Sequence, residues 1–355
     1  MATEHLDYSH LPMTTATANT TYVVDTNSYR HIDSGFMFDL AGTEGLTFEL
    51  DGTLYSEGSM FRYGQQGQPA PAVQVHIGAS GYMQADSAGF DIVGNGSLFR
   101  NDGMVSVGAG DAVEMHGNHI TLKNTGVLTT MGGYGVSLQG SDLRLENSGT
   151  INNMIQMFSD AGSTSTLVNK GQINSPSWAI YGGQGDDSIV NYGQIRLNIN
   201  MGTGDDRFID KGGHVSGGIS GGGGDDLYVI KSADYDLRES TGGGFDTVKT
   251  YLSWTLDEQF EQGRLMGKGN INLSGNGGSE FLYGNAGNNK INGYSGADWL
   301  DGGHGRDRLT GGSEADHFVF HAGSGKDVIT DFEDGSDQIV LQTYDGIDSF
   351  QDITV

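Results

Sequence analysis

Cysteine is absent from the 355-residue chain, so disulfides, thiolate metal sites and cysteine nucleophiles are all excluded. Proline occurs only 4 times and there is no strict Gly-X-Y period, which excludes a collagen-like chain. No stretch reaches the roughly 18 apolar residues of a membrane span, and the opening MATEHLDYSH has neither a basic nor an apolar region. We therefore expect no membrane span and no Sec signal peptide.

Basic residues are also scarce, because 18 Lys and Arg face 45 Asp and Glu and the formal net charge is −27. A field of this sign repels nucleic acid and anionic membrane surfaces, and it attracts cations. Hydrophobic residues still make up 35% of the chain, too many for a disordered tail, so a core is expected. Glycine is abundant, with 60 copies, and its distribution is periodic.

A repeat of 22 to 23 residues begins at about residue 97, and its anchors are Asn101, Asn124, Asn147, Asn169 and Asn191. Apolar residues lie two before and four after each anchor. A further apolar residue lies 11 positions before it, at Phe90, Val113, Val136, Phe158 and Ile180. Residues of one parity share a face of a strand, so we expect these side chains in a common interior. The pattern predicts stacked coils of at least two strands, with the asparagine amides aligned in a ladder.

Glycine- and aspartate-rich nonapeptides follow, as single copies within 182–249 and in tandem from 275. Their sixth residues are Asp187, Asp206, Asp226 and Asp246 in the single copies, and Glu280, Asn289, Asp298, Asp307 and Asp316 in the tandem copies. Two nonapeptides complete one 18-residue coil, so alternate copies should stack along the same edge. Between the two series we expect metal-free strands with Trp254, Leu256 and Leu265 in the core.

The pattern GGxGxDxUx, where U is apolar, fits a calcium site. Calcium takes six to eight oxygen ligands, including backbone carbonyls, at about 2.3 to 2.6 Å. Glycine permits left-handed backbone that points carbonyls inward, and the aspartate supplies charge. Glu280 and Asn289, where the aspartate is replaced, are weaker candidates. The predicted calcium-binding residues are Gly182, Gly185, Asp187, Gly204, Asp206, Gly221, Gly224, Asp226, Gly244, Asp246, Gly293, Gly296, Asp298, Gly302, Gly305, Asp307, Gly311 and Asp316.

Residues 182–341 resemble the RTX (repeats-in-toxin) hemolysin-type calcium-binding family on these nonapeptides. Residues 318–341 are similar to the end of the β-roll of serralysin-type proteases, and the similarity adds Gly325, Asp327 and Asp337 to the predicted calcium site. The resemblance implies export by a type I secretion apparatus with an uncleaved C-terminal signal, which the final DITV, starting at Asp352, resembles. It therefore implies an extracellular or cell-surface location.

The predicted fold class is all-β, a right-handed parallel β-helix or β-roll solenoid that continues from the asparagine-ladder β-helix into the RTX calcium repeats. The predicted segments are 1–45, a lead-in or cap; 46–180, the β-helix; 181–250, coils with single calcium turns; 251–274, metal-free strands; 275–341, the tandem β-roll; and 342–355, the secretion signal. Without metal, the carboxylates repel each other and ordering costs about 1 to 2 kcal/mol per residue. We expect calcium ions to drive folding outside the cell, beginning at the C-terminal repeats.

The expected function is that of a non-catalytic extracellular adhesin, matrix or surface protein, and the alternative is a polysaccharide-active enzyme on the β-helix face. A protease or lipase is excluded because HExxH and GxSxG are absent. The RTX half also resembles the calcium modules of mannuronan C5-epimerases. Their YG[FI]DPH[DE] motif is incomplete in Gly89–Gly94, where Ile92 and Val93 replace Pro and His. No catalytic residue is assigned.

A polysaccharide lyase would also need clustered basic residues, and region 45–180 is poor in them. Two pairs of histidines are potential zinc ligands, His116 with His119 and His317 with His321. We interpret them as surface or core-edge residues. The predicted partners are therefore calcium, the export apparatus and an extracellular polysaccharide or cell surface.

Overall fold

The computed structural model describes residues 2–6, 13, 16–24, 29–32, 36–40, 45–65 and 70–342. These residues form β-strands and turns with no α-helix among them, and they contain no helix long and apolar enough to cross a membrane. The chain divides into two compact units, residues 1–222 with 235–237, and residues 223–234 with 238–355. Of the predicted secretion signal, only Gln342 lies within the described residues.

The strands that begin before residue 223 are β1 (Ala2–His5), β2 (Thr20–Val24), β3 (Tyr29–Ile32), β4 (Phe36–Leu40), β5 (Leu46–Leu50), β6 (Thr53–Ser56), β7 (Ser59–Tyr63), β8 (Val73–Ile77), β9 (Tyr82–Ala85), β10 (Phe90–Val93), β11 (Leu98–Asn101), β12 (Met104–Val107), β13 (Val113–His116), β14 (Thr121–Asn124), β15 (Val127–Thr130), β16 (Val136–Gly140), β17 (Arg144–Asn147), β18 (Thr150–Asn152), β19 (Ile155–Ser159), β20 (Thr164–Asn169), β21 (Gln172–Tyr181), β22 (Asp186–Asn191), β23 (Gln194–Thr203), β24 (Arg207–Asp210), β25 (His214–Val215) and β26 (Gly218–Gly223).

The later strands are β27 (Leu227–Ile230), β28 (Asp236–Arg238), β29 (Thr247–Thr250), β30 (Trp254–Thr255), β31 (Gln262–Leu265), β32 (Leu273–Ser274), β33 (Phe281–Tyr283), β34 (Lys290–Ser295), β35 (Trp299–Asp301), β36 (Arg308–Ser313), β37 (His317–His321), β38 (Val328–Ile329) and β39 (Gln338–Gln342).

In the first unit, the coils from β8 to β19 consist of three short strands, and in the next two coils the second and third strands merge into the ten-residue strands β21 and β23. Each strand pairs in parallel with its counterpart one coil later. Strand β11 pairs with β14, β12 with β15, and β13 with β16. Alternate side chains point inward, so that Phe99, Leu122 and Leu145 stack in register and are fully buried. The strands are short and each buries only alternate residues, which is why a coil depends on its neighbours.

The asparagine ladder has the predicted arrangement. The Nδ2 of Asn101, Asn124, Asn147 and Asn169 donates in each case to the Oδ1 of the next asparagine, at 2.8, 2.8, 2.9 and 2.9 Å, the last acceptor being Asn191. All five side chains are buried. An amide both donates and accepts, so a column of amides satisfies itself along the solenoid axis.

The prediction that Phe158 points inward is wrong, since this side chain is 37% exposed and contacts the Tyr181 ring. The other four residues of its series, Phe90, Val113, Val136 and Ile180, are buried. The register pairs Val136 with Ile155, only 19 positions later, because this turn is shorter than its neighbours. Ile155 and Met157 therefore point inward instead.

The described parts of residues 1–45 form strands that join the first coils. Strand β1 pairs with β2, β2 with β5, and β4 with β7. Phe38 and Phe48 lie 4.7 Å apart, ring centroid to ring centroid, at the start of an aromatic core. That core continues through Phe61 and Phe90 to Phe99, with neighbouring centroids 4.8 to 5.5 Å apart. This end of the first unit is held by ring packing.

In the second unit each tandem coil has two strands. Strands β33, β35 and β37 pair in succession, so that Phe281, Trp299 and His317 share one column, while β34, β36 and β38 pair along the other edge. Alternate nonapeptides therefore stack as predicted. Leu256 and Leu265 are buried, whereas Trp254 is only partly buried. Both units are parallel β-solenoids, and the predicted all-β solenoid fold class is confirmed.

Candidate calcium centre

The sixth residues of the tandem repeats lie in two columns, which we call the carboxylate columns. The first column contains Glu280, Asp298, Asp316 and Asp337, and the second contains Asn289, Asp307 and Asp327. In the first, the Oδ1 of each aspartate accepts the backbone N–H of the preceding member, at 2.8, 2.9 and 3.0 Å. In the second, the corresponding distances are 2.7 and 2.8 Å. One carboxylate oxygen of each aspartate is thus used to join successive coils.

The second carboxylate oxygen of three of these aspartates accepts no hydrogen bond from the described residues. The Oδ2 atoms of Asp298, Asp307 and Asp316 are buried and have no hydrogen-bond partner among the described residues. Burial raises the pKa of each of these carboxyls, and for Asp307 the raised pKa is about 6. Neighbouring carboxylates raise the pKa of Asp298 further, chiefly Glu280 and then Asp316. A buried carboxylate oxygen without a donor is costly, and a cation would compensate it.

Glycine leaves room for such a cation beside each carboxylate. A Cβ on Gly293 would overlap the Asp298 Oδ2 and approach the Gly311 carbonyl oxygen. The same overlap with the carboxylate of its own turn would occur at Gly302 and Gly311. Each first glycine therefore faces carboxylate oxygen, and Gly293 faces a carbonyl oxygen as well. This oxygen-only donor set fits calcium.

The fourth glycine of the turn has the conformational role that the sequence predicts. Its φ lies between +102° and +152° at Gly204, Gly224, Gly244, Gly296, Gly305 and Gly325. The expectation is wrong for Gly185 and for the first glycines Gly182, Gly293, Gly302 and Gly311, whose φ is not left-handed. At those first positions glycine is required by close packing rather than by backbone conformation. Gly221 lies within β26.

In the turn that contains Glu280, the side-chain amide of Asn276 bonds to backbone carbonyls of the preceding coil. The Nδ2 of Asn276 donates to the carbonyl oxygens of Asp257 at 2.9 Å and of Phe260 at 3.1 Å. The Glu280 Oε2 accepts the N–H of Asn276 at 3.1 Å. Two carbonyls that could have served a cation are thus bonded to a neutral donor.

The turn that contains Asn289 is closed in the same way by Asn285. The Nδ2 of Asn285 donates to the carbonyl oxygens of Met266 and Gly269, both at 3.1 Å. The Asn289 Oδ1 accepts the N–H of Asn285 at 2.9 Å, and its Nδ2 donates to the Ile271 carbonyl at 2.7 Å. In both turns asparagine occupies the second glycine position of the motif, and this was the signal that sequence reasoning did not use.

In the earlier part of the second unit, Asp226 and Asp246 are both buried. The N–H of Asp226 donates to the Asp246 Oδ1 at 2.9 Å. Burial, followed by the charges of Glu239 and Glu261, raises the pKa of Asp246 to about 7. Sequence reasoning missed Glu239, whose carboxylate lies within 4.8 Å of ligand atoms of Asp226 and Asp246. It precedes the nonapeptide, outside the motif.

In the first unit, Asp187 and Asp206 are likewise buried, and the N–H of Asp187 donates to the Asp206 Oδ1 at 2.6 Å. Burial raises the pKa of Asp187 to about 6. The Asp187 Oδ2 accepts the N–H of Gly183 at 3.2 Å. The single-copy turns thus repeat the linkage seen in the carboxylate columns, in which an aspartate of one coil accepts from the backbone of the coil before it.

The histidines have other contacts. The His317 ring stacks on Trp299 with centroids 4.3 Å apart, and the His321 Nδ1 lies 3.7 Å from the Asp301 Oδ2. The Nδ1 of His119 lies 2.9 Å from the Asp142 Oδ2, on an exposed surface. Neither pair suggested by the sequence converges on a common point through these contacts.

The comparisons with known proteins agree with this geometry. Residues 274–309 and 283–318 match the family model described as the RTX calcium-binding nonapeptide repeat (4 copies). A search of curated proteins and a search of solved structures each give no match. The chain therefore carries RTX-type calcium-binding repeats, and repeats of this type bind several calcium ions.

Proposed function

We propose that this protein is exported through a type I secretion apparatus, folds on calcium outside the cell, and acts there as a non-catalytic adhesin, matrix or surface component. The observation that carries the proposal is the set of buried carboxylate oxygens at Asp298, Asp307 and Asp316, which have no donor among the described residues. Sites in extracellular modules commonly bind calcium with a Kd of about 10⁻⁴ to 10⁻³ M. At cytoplasmic calcium levels such sites stay empty and the repeats stay unfolded, which suits passage through a channel.

We propose as calcium ligands the glycine and aspartate residues predicted from the nonapeptides, with the strongest sites at Asp298, Asp307 and Asp316. Circular dichroism of the full chain in EDTA and in millimolar calcium tests the folding step. A gain of β signal with calcium is expected, and identical spectra would overturn the proposal. Export is tested by producing the full chain with and without residues 342–355 in a host that carries a type I exporter. The full chain should reach the medium and the shortened chain should not.

A second candidate function is recognition of an anionic polysaccharide by the first unit. Arg100, Lys123, Arg144 and Lys170 line one groove of about 270 Å³, although this region is poor in basic residues overall. Part of the charge is balanced, because Arg100 pairs with Asp102 at 2.7 Å, and Arg144 and Lys123 both pair with Glu146, at 2.6 and 3.6 Å. A basic cluster in a chain of charge −27 favours a polyanionic ligand.

A glycan array with calcium-loaded protein, followed by an assay on alginate and pectin, tests this second function. Binding of uronate polymers that is lost in Lys123→Glu, without product formation, supports recognition. Product formation supports the enzyme alternative. Binding that is unchanged in Lys123→Glu contradicts the assignment to this groove.

A further inference from the structure

Three ligand-type side chains lie together on the outer face of the first unit, away from the calcium turns. Asp91 on β10 is the register partner of Glu114 on β13, and His116 lies two residues after Glu114 on the same face. Their neighbours of opposite parity, Ile92 and Met115, are fully buried in the core. The pairing of the two strands therefore fixes the Cα positions of Asp91, Glu114 and His116.

The three side chains converge. One ligand atom from each of Asp91, Glu114 and His116 lies within 4.8 Å of the other two. The His116 Nε2 and the Glu114 Oε1 are 2.8 Å apart. All three residues are partly buried, although they face away from the core. An ion placed among them would be reached by two carboxylates and one imidazole.

The electrostatics of the cluster call for a positive charge. Carboxylates directly opposite each other on adjacent strands repel. Burial, followed by the Glu114 charge, raises the pKa of Asp91. The nearest guanidinium on the adjoining strand belongs to Arg62, the register partner of Asp91, and it forms two hydrogen bonds with Asp39 at 2.8 and 2.5 Å. The His116 ring and Arg62 thus compensate Asp91 only in part, and its pKa remains raised.

His116 decides which kind of ion the cluster suits. Its Nε2 lies 2.8 Å from the Glu114 Oε1 within the cluster, and its side chain also bonds to Gln139, its register partner on the next coil. A neutral imidazole has one acceptor nitrogen, and nitrogen is a ligand that calcium avoids and that zinc and related ions favour. Two carboxylates and one imidazole are ligands that suit a metal ion of borderline softness such as Zn²⁺, whereas the carboxylate columns offer oxygen alone.

We propose that Asp91, Glu114 and His116 form a site for a divalent transition metal ion, with Zn²⁺ as its probe. The site is separate from the calcium repeats and does not depend on them for its ligands. Three protein ligands leave a position on the ion for a water molecule or an external ligand.

The test is a titration of the full chain with Zn²⁺ by calorimetry and with Co²⁺ by visible absorption, in millimolar calcium so that the repeats are loaded. One tight equivalent is expected, with a Co²⁺ band in the visible. His116→Ala should weaken binding by about 100-fold or more. His119→Ala is the matched control, because His119 pairs with Asp142 on the exposed surface, and it should bind as the unaltered chain does.

Asp91→Asn is the second variant, and it keeps the size of the side chain while removing its charge. It should also weaken Zn²⁺ binding, while circular dichroism and the melting temperature remain those of the unaltered chain. Unchanged affinity in both variants would overturn the proposal, as would the absence of any Zn²⁺ or Co²⁺ binding to the folded, calcium-loaded protein.

Discussion

The asparagine ladder of the first unit and the carboxylate columns of the second differ by one chemical group. Both place a buried polar side chain at the same point of successive coils. The amide of Asn124 accepts from one neighbour and donates to the next, so the inner members of the ladder satisfy each other, and within the ladder only the terminal Asn101 Oδ1 has no donor among the described residues. The carboxylate of Asp298 only accepts, and its Oδ2 has no donor among the described residues. An amide column is thus self-sufficient, whereas a carboxylate column requires a cation.

The largest expected effect is that of calcium removal, which should unfold the carboxylate columns and leave the asparagine ladder folded. In EGTA, hydrogen exchange should become fast throughout β35 and β37, because the buried carboxylates lose their counter-charge. Strands β14 and β17, which carry the ladder residues Asn124 and Asn147, should keep their protection. Simultaneous loss of protection in all four strands would contradict the comparison, and so would full protection in all four.

The second prediction concerns pH in the absence of calcium. The pKa values of Asp307 and Asp246 are raised to about 6 and about 7, from about 3.9 in an unfolded chain. Protonation therefore favours the folded state fully below about pH 4, and this stability is lost as the pH rises through 6 to 7. Circular dichroism of calcium-free protein between about pH 4.5 and 8 should show β signal from the second unit at the acid end, and this signal should disappear as the pH rises. With calcium bound, the stability of the second unit should instead rise with pH, because protons compete with the metal for the carboxylates.

The third prediction places a carboxylate in the ladder. Asn147→Asp removes the donor to Asn169 and buries a charge, so the free energy of unfolding of the first unit should fall by about 3 kcal/mol at neutral pH. The loss should shrink as the pH approaches 4 and the new carboxyl is protonated. Asn118→Asp is the control, because Asn118 is exposed and uses its Oδ1 only to accept the N–H of Ser141. Urea denaturation measures both variants, and equal destabilisation would contradict a special role for the ladder.

The fourth prediction is the reverse exchange, Asp298→Asn. The amide oxygen still accepts the N–H of Glu280, while the second position becomes a neutral donor. Calcium affinity should fall about tenfold, which corresponds to about 1.4 kcal/mol, and the calcium-free form should become more stable. Asp334→Asn, on an exposed turn, serves as the control in calcium titrations and thermal melts. Unchanged calcium affinity in Asp298→Asn would place the ion elsewhere.

Much of this fold could be predicted from the sequence because parity and period are properties of the chain itself. The interior positions of β11, β14 and β17 follow from alternate residues, and the amide ladder follows from the 22 to 23 residue spacing. Phe158 was predicted wrongly because a shortened turn changes the register after β16, and turn length is set by packing between coils.

The turns closed by asparagine and the Asp91–Glu114–His116 cluster follow the same coil period. The contacts within them depend on side-chain conformation, which the period does not determine. Asn276 and Asn285 stand where the motif has glycine, yet only the structure shows their amides bonded to carbonyls of the preceding coil. Asp91 and Glu114 are 23 residues apart, a spacing that the ladder also uses, and this was the signal for their pairing. The convergence of His116 on them depends on its side-chain conformation, which spacing does not encode.

The hydrogen bonds of the carboxylate columns all run one way. Asp337 accepts from Asp316, Asp316 from Asp298, and Asp298 from Glu280, so each winding holds the acceptor for the winding that precedes it in the chain. In these columns the carboxylate acceptor between two windings lies on the later one, whereas backbone carbonyls accept in the opposite direction, as that of Asp298 does from the N–H of His317. The column therefore has two chemically different ends. Removal of the last winding should leave the N–H of Asp316 without its acceptor, whereas removal of the first tandem winding should leave the Asp298 Oδ1 without its donor.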